Sequence, residues 1–149
     1  MSFYRSVGTR GNTGTAVTNS GCTGYYTKIG DTVNITISAT IGALSGGETS
    51  GILELGDLPY YSAYDTAFSV YAENFQKPGS ESSVVLQAKV FKKPTVVLPG
   101  IGYHKGKRIA FGAYNPTDGT ALSESDTAEL LLENATFIIS GTYKASWTS

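Results

Sequence analysis

From Val33 to Ile41 apolar and polar positions alternate without a slip. Val33, Ile35, Ile37, Ala39 and Ile41 fall on one side, and Asn34, Thr36, Ser38 and Thr40 on the other. Side chains on a strand alternate faces, so this stretch predicts a strand with one buried and one polar face. A second β-rich run, Gly24–Ile29, precedes it, and the Gly30-Asp31 pair between the two fits a two-residue hairpin turn. Residues 42–50, GALSGGETS, read as a loop, and residues 51–56 as a strand containing Ile52 and Leu53. Pro59 then ends the ladder, because it has no N–H to donate.

The alternation returns at Ala67–Ala72, with Phe68, Val70 and Ala72 on one face, and at Ser83–Phe91, with Val84, Leu86, Ala88 and Val90 on one face. Between them, Pro78-Gly79 suits the central positions of a type II turn. Residues 94–98 are a candidate short strand, and Arg108–Ala113 another strand after the Gly-rich loop LPGIGYHKGK. Helix competes over 123–133, where Asp126 and Glu129 resemble a capping box ahead of Ala128, Leu131 and Leu132. The last strand is Asn134–Lys144, with Phe137, Ile139, Gly141 and Tyr143 on one face. Residues 1–23 are dominated by Gly, Thr, Asn and Ser and predict an irregular N-terminal arm with one short strand at Thr15–Thr18. The division expected is therefore an arm over 1–23 and one all-β domain over 24–149, an antiparallel, jelly-roll-like β-sandwich of about eight strands.

Composition narrows the setting. At 149 residues the chain fits one domain, large enough to bury roughly two thirds of its unfolded surface. Charged residues are only 15%, so the surface is coated with hydroxyl and amide groups rather than ions. A net charge of −1 gives no sign of a nucleic-acid partner, which calls for a basic face or stripe. No apolar run approaches the roughly 18 residues of a membrane span, and MSFYRSVGTR has no apolar core region of a signal peptide. The single cysteine, Cys22, excludes an internal disulfide and a cysteine-based zinc cluster.

Three motifs carry a resemblance. Tyr25/Tyr26-Thr27-Lys28-Ile29-Gly30-Asp31-Thr32-Val33 resembles the entry motif of C-terminal domains in bacteriophage tail fibres and tailspikes. Leu55-Gly56-Asp57-Leu58-Pro59-Tyr60 is similar to that family's short strand ending in Gly-Leu-Pro-aromatic, and Phe137-Ile138-Ile139-Ser140-Gly141-Thr142-Tyr143 to its closing strand. The order matches, over Gly24 to Lys144. Asp31 stands where Asn is common, and Asp57 is an extra residue before Leu58-Pro59. The resemblance implies a homotrimer at a virion tip, assembled in the host cytoplasm among other virion proteins. It also implies binding of a host-surface glycan or protein without catalysis. The alternative is a trimeric capsid decoration or cement protein that staples neighbours with its polar arm, which could reach at most about 75–80 Å when extended.

Candidate chemistry agrees with a binding role. His104, the one histidine, lies in a Gly-rich loop with no Gly-x-Ser-x-Gly elbow elsewhere, and the twelve acids are scattered, so neither a nucleophile–base pair nor a glycosidase carboxylate pair is expected. No catalytic residue, metal ligand or cofactor is expected. The aromatic loops are the better lead, because tyrosine offers a flat apolar face and a polar tip at low entropic cost. The expected receptor contacts are Tyr103, His104 and Lys105 first, then Tyr114 and Asn115, and Tyr61 and Tyr64. Tyr60 is expected to be buried. Phe3, Tyr4 and Trp147 are candidates for the subunit interface.

Overall fold

A computed structural model describes residues 1–6, 10–11, 14–44, 51–75, 85–95, 104–114, 120–121, 123, 127–128 and 131–146. Among these residues the chain is all β, with nine strands and no α-helix. The strands are β1 (Ser2–Ser6), β2 (Thr15–Ala16), β3 (Asn19–Ile29), β4 (Thr32–Ile41), β5 (Ile52–Gly56), β6 (Thr66–Phe75), β7 (Val85–Val90), β8 (Ile109–Tyr114) and β9 (Leu131–Lys144). They form one sheet in the order β2-β1-β5-β8-β7-β6-β9-β4-β3, and every neighbouring pair is antiparallel.

The two layers expected of a sandwich are halves of this single sheet, and β6 is the crease. Thr66, Ala67 and Phe68 pair with β7, and from Ser69 onward the strand pairs with β9 instead. The sheet thereby folds over. Phe3 of β1 meets Phe137 of β9 with ring centroids 5.0 Å apart, although four strands separate β1 from β9 in the sheet order. Phe111 of β8 completes the triplet, 6.1 Å from each of the other two rings. The inward rows named in the sequence fill this core: Val33, Ile35, Ile37, Ala39 and Ile41 from β4, Ala88 and Val90 from β7, and Phe137, Ile139 and Tyr143 from β9 are all buried. Each fully buried large apolar side chain contributes about 1.5–3 kcal/mol relative to exposure.

The β3–β4 hairpin has the expected two-residue connection, with Ile29 opposite Thr32 and Gly30 at φ 62°. A left-handed φ there is what glycine supplies without strain. Gly141 has a different duty. A methyl at this position would overlap Cδ1 of Phe68, so the closing strand needs a glycine for the Phe68 ring to reach the crease.

Four expectations are corrected. The first 23 residues are not a free arm: β1 pairs along its whole length with β5, Ser2 opposite Gly56 through Ser6 opposite Ile52, and β3 begins at Asn19. Phe3 is fully buried in the chain's own core and cannot serve as a surface contact for another subunit. Where helix competed over 123–133, the described residues show strand at Leu131–Glu133 and 3₁₀ conformation at Thr127 and Ala128. Leu53 N–H donates to Thr127 Oγ1 at 2.9 Å, which ties this turn to the sheet. Residues 94–95 are not in a strand, and 96–98 lie outside the described residues.

Candidate functional site

All three motifs of the sequence meet at Tyr60. Tyr143 of the closing strand donates its hydroxyl to the Tyr60 carbonyl at 3.1 Å and accepts from the Tyr60 N–H at 3.3 Å. Tyr26 of the entry strand places its ring edge-on to Tyr60 at 5.9 Å, and Lys28 sets its ammonium 5.3 Å from the centre of the same ring. Tyr60 is half-buried at this junction, less enclosed than expected. Burial pushes the Tyr143 phenol up to about 12. These motifs are therefore a clasp between strand ends, and the clasp fixes the end of the molecule at which loops gather.

Backbone hydrogen bonds knit those loops together. Leu58 N–H donates to the Lys107 carbonyl at 2.7 Å, Ser62 N–H to Gly106 at 2.8 Å, and Lys93 N–H to Ser62 at 2.8 Å. Ala63 N–H donates to Lys144, and Ser146 N–H to Tyr61, both at 2.8 Å. The turn 104–107 closes on itself through Lys107 N–H and the His104 carbonyl at 2.9 Å. Gly106 takes φ 90°, and a methyl there would stand 2.7 Å from Cα of Lys93. Backbone polar groups in a loop need partners, and here most of the partners are other loops, which makes this end a defined surface.

Within it, aromatic rings carry lysines. The ammonium groups of Lys93 and Lys107 lie 5.0 and 5.1 Å from the Tyr61 ring centre. Those of Lys89 and Lys105 lie 4.2 and 5.1 Å from that of Phe91. Lys144 stands 5.8 Å from the Tyr64 ring. All fall within the ~6 Å reach of a cation–π contact. Two ion pairs flank them, Lys89 with Asp65 at 3.6 Å and Lys144 with Asp31 at 3.3 Å. The Lys92 N–H bond to its carboxylate, reinforced by Lys89, holds Asp65 below the usual carboxylate range.

Beneath the turn, Arg108 is buried at 2% exposure. Its Nε donates to Asp57 Oδ1 at 3.0 Å, its Nη1 lies 3.8 Å from Glu54 Oε1, and its guanidinium stacks 3.9 Å over the Tyr4 ring. Glu54, equally buried, also accepts from Gly11 N–H at 2.9 Å. His104 closes the group, with Nδ1 3.4 Å from Asp57 Oδ2 and its backbone N–H donating to the Gly11 carbonyl at 2.9 Å. Burial, with help from Arg108 and Lys107, lowers the His104 pKa against the opposing pull of Asp57. A buried arginine placed between two carboxylates gives each an opposite charge and holds the turn, the usual requirement for charges away from water. Among the described residues no group of three histidines, cysteines or carboxylates is arranged to hold a metal ion.

Of the residues singled out in the sequence, this end gathers His104, Lys105, Tyr61 and Tyr64. Tyr64 is 59% exposed and open to a partner, whereas Tyr61 is only 6% exposed and serves as the platform for two lysines. Tyr4 lies under Arg108. Tyr114 is at the far end of β8, about 17 Å of strand from Ile109, so it does not belong to this surface. Tyr103, Asn115 and Trp147 lie outside the described residues. Sequence reading missed Phe91, Lys93, Lys107, Lys144 and the Asp57–Arg108–Glu54 group. One signal was available for part of it: Phe91-Lys92-Lys93 and Lys105-Gly106-Lys107-Arg108 bracket the β7–β8 connection, so antiparallel pairing must bring them to the same end.

No protein-family model matches the sequence, and no curated protein matches it. Among solved structures, the crystal structure of the Dettilon tailspike protein (gp208) matches with a TM-score of 0.63 at 16% identity. The match covers 98% of this chain and 23% of that one, so the chain spans about a quarter of the tailspike's length. At this identity the likeness is one of fold.

Proposed function

We propose that this chain is a non-enzymatic β-domain of a bacteriophage tail-fibre or tailspike-type virion protein, acting as a homotrimer that binds a host-surface receptor. One observation carries the reading: a tailspike shares the fold over 98% of the chain. The convergence of the three motifs on Tyr60 supports it, because it gives the sequence resemblance a common structural cause. The decoration-protein reading drew on a free polar arm, and with β1 and β2 paired into the sheet that motive is gone.

The outer face of β3, β4, β9 and β6 is where a second copy would seat. It is almost free of charge, and the register puts Ile138 beside both Ser38 and Tyr71. Tyr25, Ile29, Tyr71 and Ile138 on this face are each at least half exposed. β3, 11 residues long, is an outer edge of the sheet, and closed assembly is one way to protect such an edge.

Two measurements test the proposal. Antibody labelling of particles should place the protein on tails, and labelled protein should adhere to the host bacterium. Labelling confined to heads, or no adhesion across host strains, would reject the reading.

A further inference from the structure

The described lysines are not spread over this molecule. Among the described residues all seven lysines lie with Arg108 at the clasped end, beside Asp31, Glu54, Asp57 and Asp65. Among the described residues that end thus holds eight cations against four carboxylates, while the others hold Arg5 and Arg10 against Glu73 and Glu133. Among the described residues the excess of cations is confined to that end.

The manner of holding matters as much as the count. Asp57 and Glu54 face inward to Arg108, and Asp31 and Asp65 sit at the flanks with Lys144 and Lys89. Between them Lys93, Lys105 and Lys107 rest on Tyr61 and Phe91. A ring face fixes an ammonium without cancelling its charge, whereas a carboxylate does both. The turn that carries two of these lysines is itself pinned by the Gly106 and Lys107 carbonyl bonds. The array is ordered before any ligand arrives, and ordering in advance is the main cost that a binding site can remove.

We infer that this end is a preorganised site for an anionic polysaccharide, one bearing carboxylate or phosphate groups. The inference rests on the receptor-binding reading above and names the class of receptor. Nucleic acid fits less well. Proteins that grip single strands stack bases on open aromatic faces, and here Tyr61 is buried and the Tyr61 and Phe91 rings carry lysines. Duplex binders show a basic face in a basic protein, and this chain is net acidic.

The test measures the intact protein against immobilised polygalacturonate, neutral dextran, and single-stranded and duplex DNA. The wild type should bind polygalacturonate but not dextran, and lose that binding as salt rises from about 50 mM to 0.5 M. K93A/K105A/K107A should weaken it about tenfold with an unchanged circular-dichroism spectrum. F91L, which keeps every charge but removes a platform, should weaken it about threefold and leave the salt dependence intact. Equal or tighter binding of either DNA, absence of polygalacturonate binding at low salt, or self-association at low salt in its place would each overturn the inference. Host-cell adhesion separates the two claims. Adhesion that the triple variant retains, without polygalacturonate binding, removes this inference and leaves the receptor reading. Lysine-dependent polygalacturonate binding without adhesion keeps this site and removes the receptor reading.

Discussion

Tyr143 is buried with its hydroxyl shared between the N–H and carbonyl of Tyr60, and this has a pH consequence. Its phenol titrates near 12 in the folded chain and near 10 when unfolded. A raised folded value means that the stability is fully present below pH 10 and is lost as pH climbs toward 12. The loss amounts to about 2–3 kcal/mol across that window. Denaturant melts of wild type and Y143F between pH 9 and 12 should show the steeper fall in the wild type. Y143F itself should start about 1–2 kcal/mol lower from the lost hydrogen bonds. His104 runs in the other direction. Its pKa is lowered, so its neutral form is favoured and stability is lost as pH drops below about 6.5. An NMR titration of its ring should give a midpoint below 6.5, and a midpoint above that value would mean Asp57 outweighs burial. Sequence reading reached His104 and Lys105 through their Gly-rich loop, but Glu54 and Asp57 looked like scattered acids. Their partner Arg108 lies over 50 residues away, a separation that no local pattern encodes.

At the scale of elements, strands with strict alternation were legible, because one face meets a core and the other meets water. β4, β7 and the closing half of β9 fall within a residue or two of where the pattern puts them. β1 was not legible. Its only large core residue is Phe3, Arg5 breaks the apolar row, and its partner β5 is about 50 residues distant. The same logic explains 131–133, where a helical spacing of leucines yields to nonlocal pairing, Phe75 opposite Leu131. Two glycines make the element-level account testable. G141A forces a methyl against Phe68 at the crease and should cost about 1–3 kcal/mol in chemical denaturation. G106A adds a strained φ to a clash with the Lys93 backbone. It should lower stability by about 1–3 kcal/mol and disorder the lysine-bearing turn. A G141A protein as stable as wild type would mean the crease is looser than the packing implies.

At the scale of the whole molecule, one end is clasped, cationic and aromatic, and the outer face of β3, β4, β9 and β6 carries little charge and several exposed apolar residues. The proposed homotrimer assigns these surfaces different duties, receptor contact at the end and subunit contact on the face. Light scattering should return three times the chain mass. I138E, at a half-exposed position, should return a folded monomer. A wild-type monomer at high concentration would remove the trimer from the proposal. The most direct test of the central claim is competition. Purified wild-type protein, incubated with the host bacterium, should block adsorption of the parent phage, and K93A/K105A/K107A should not. Undiminished adsorption at saturating wild-type protein would contradict a receptor-binding tail domain.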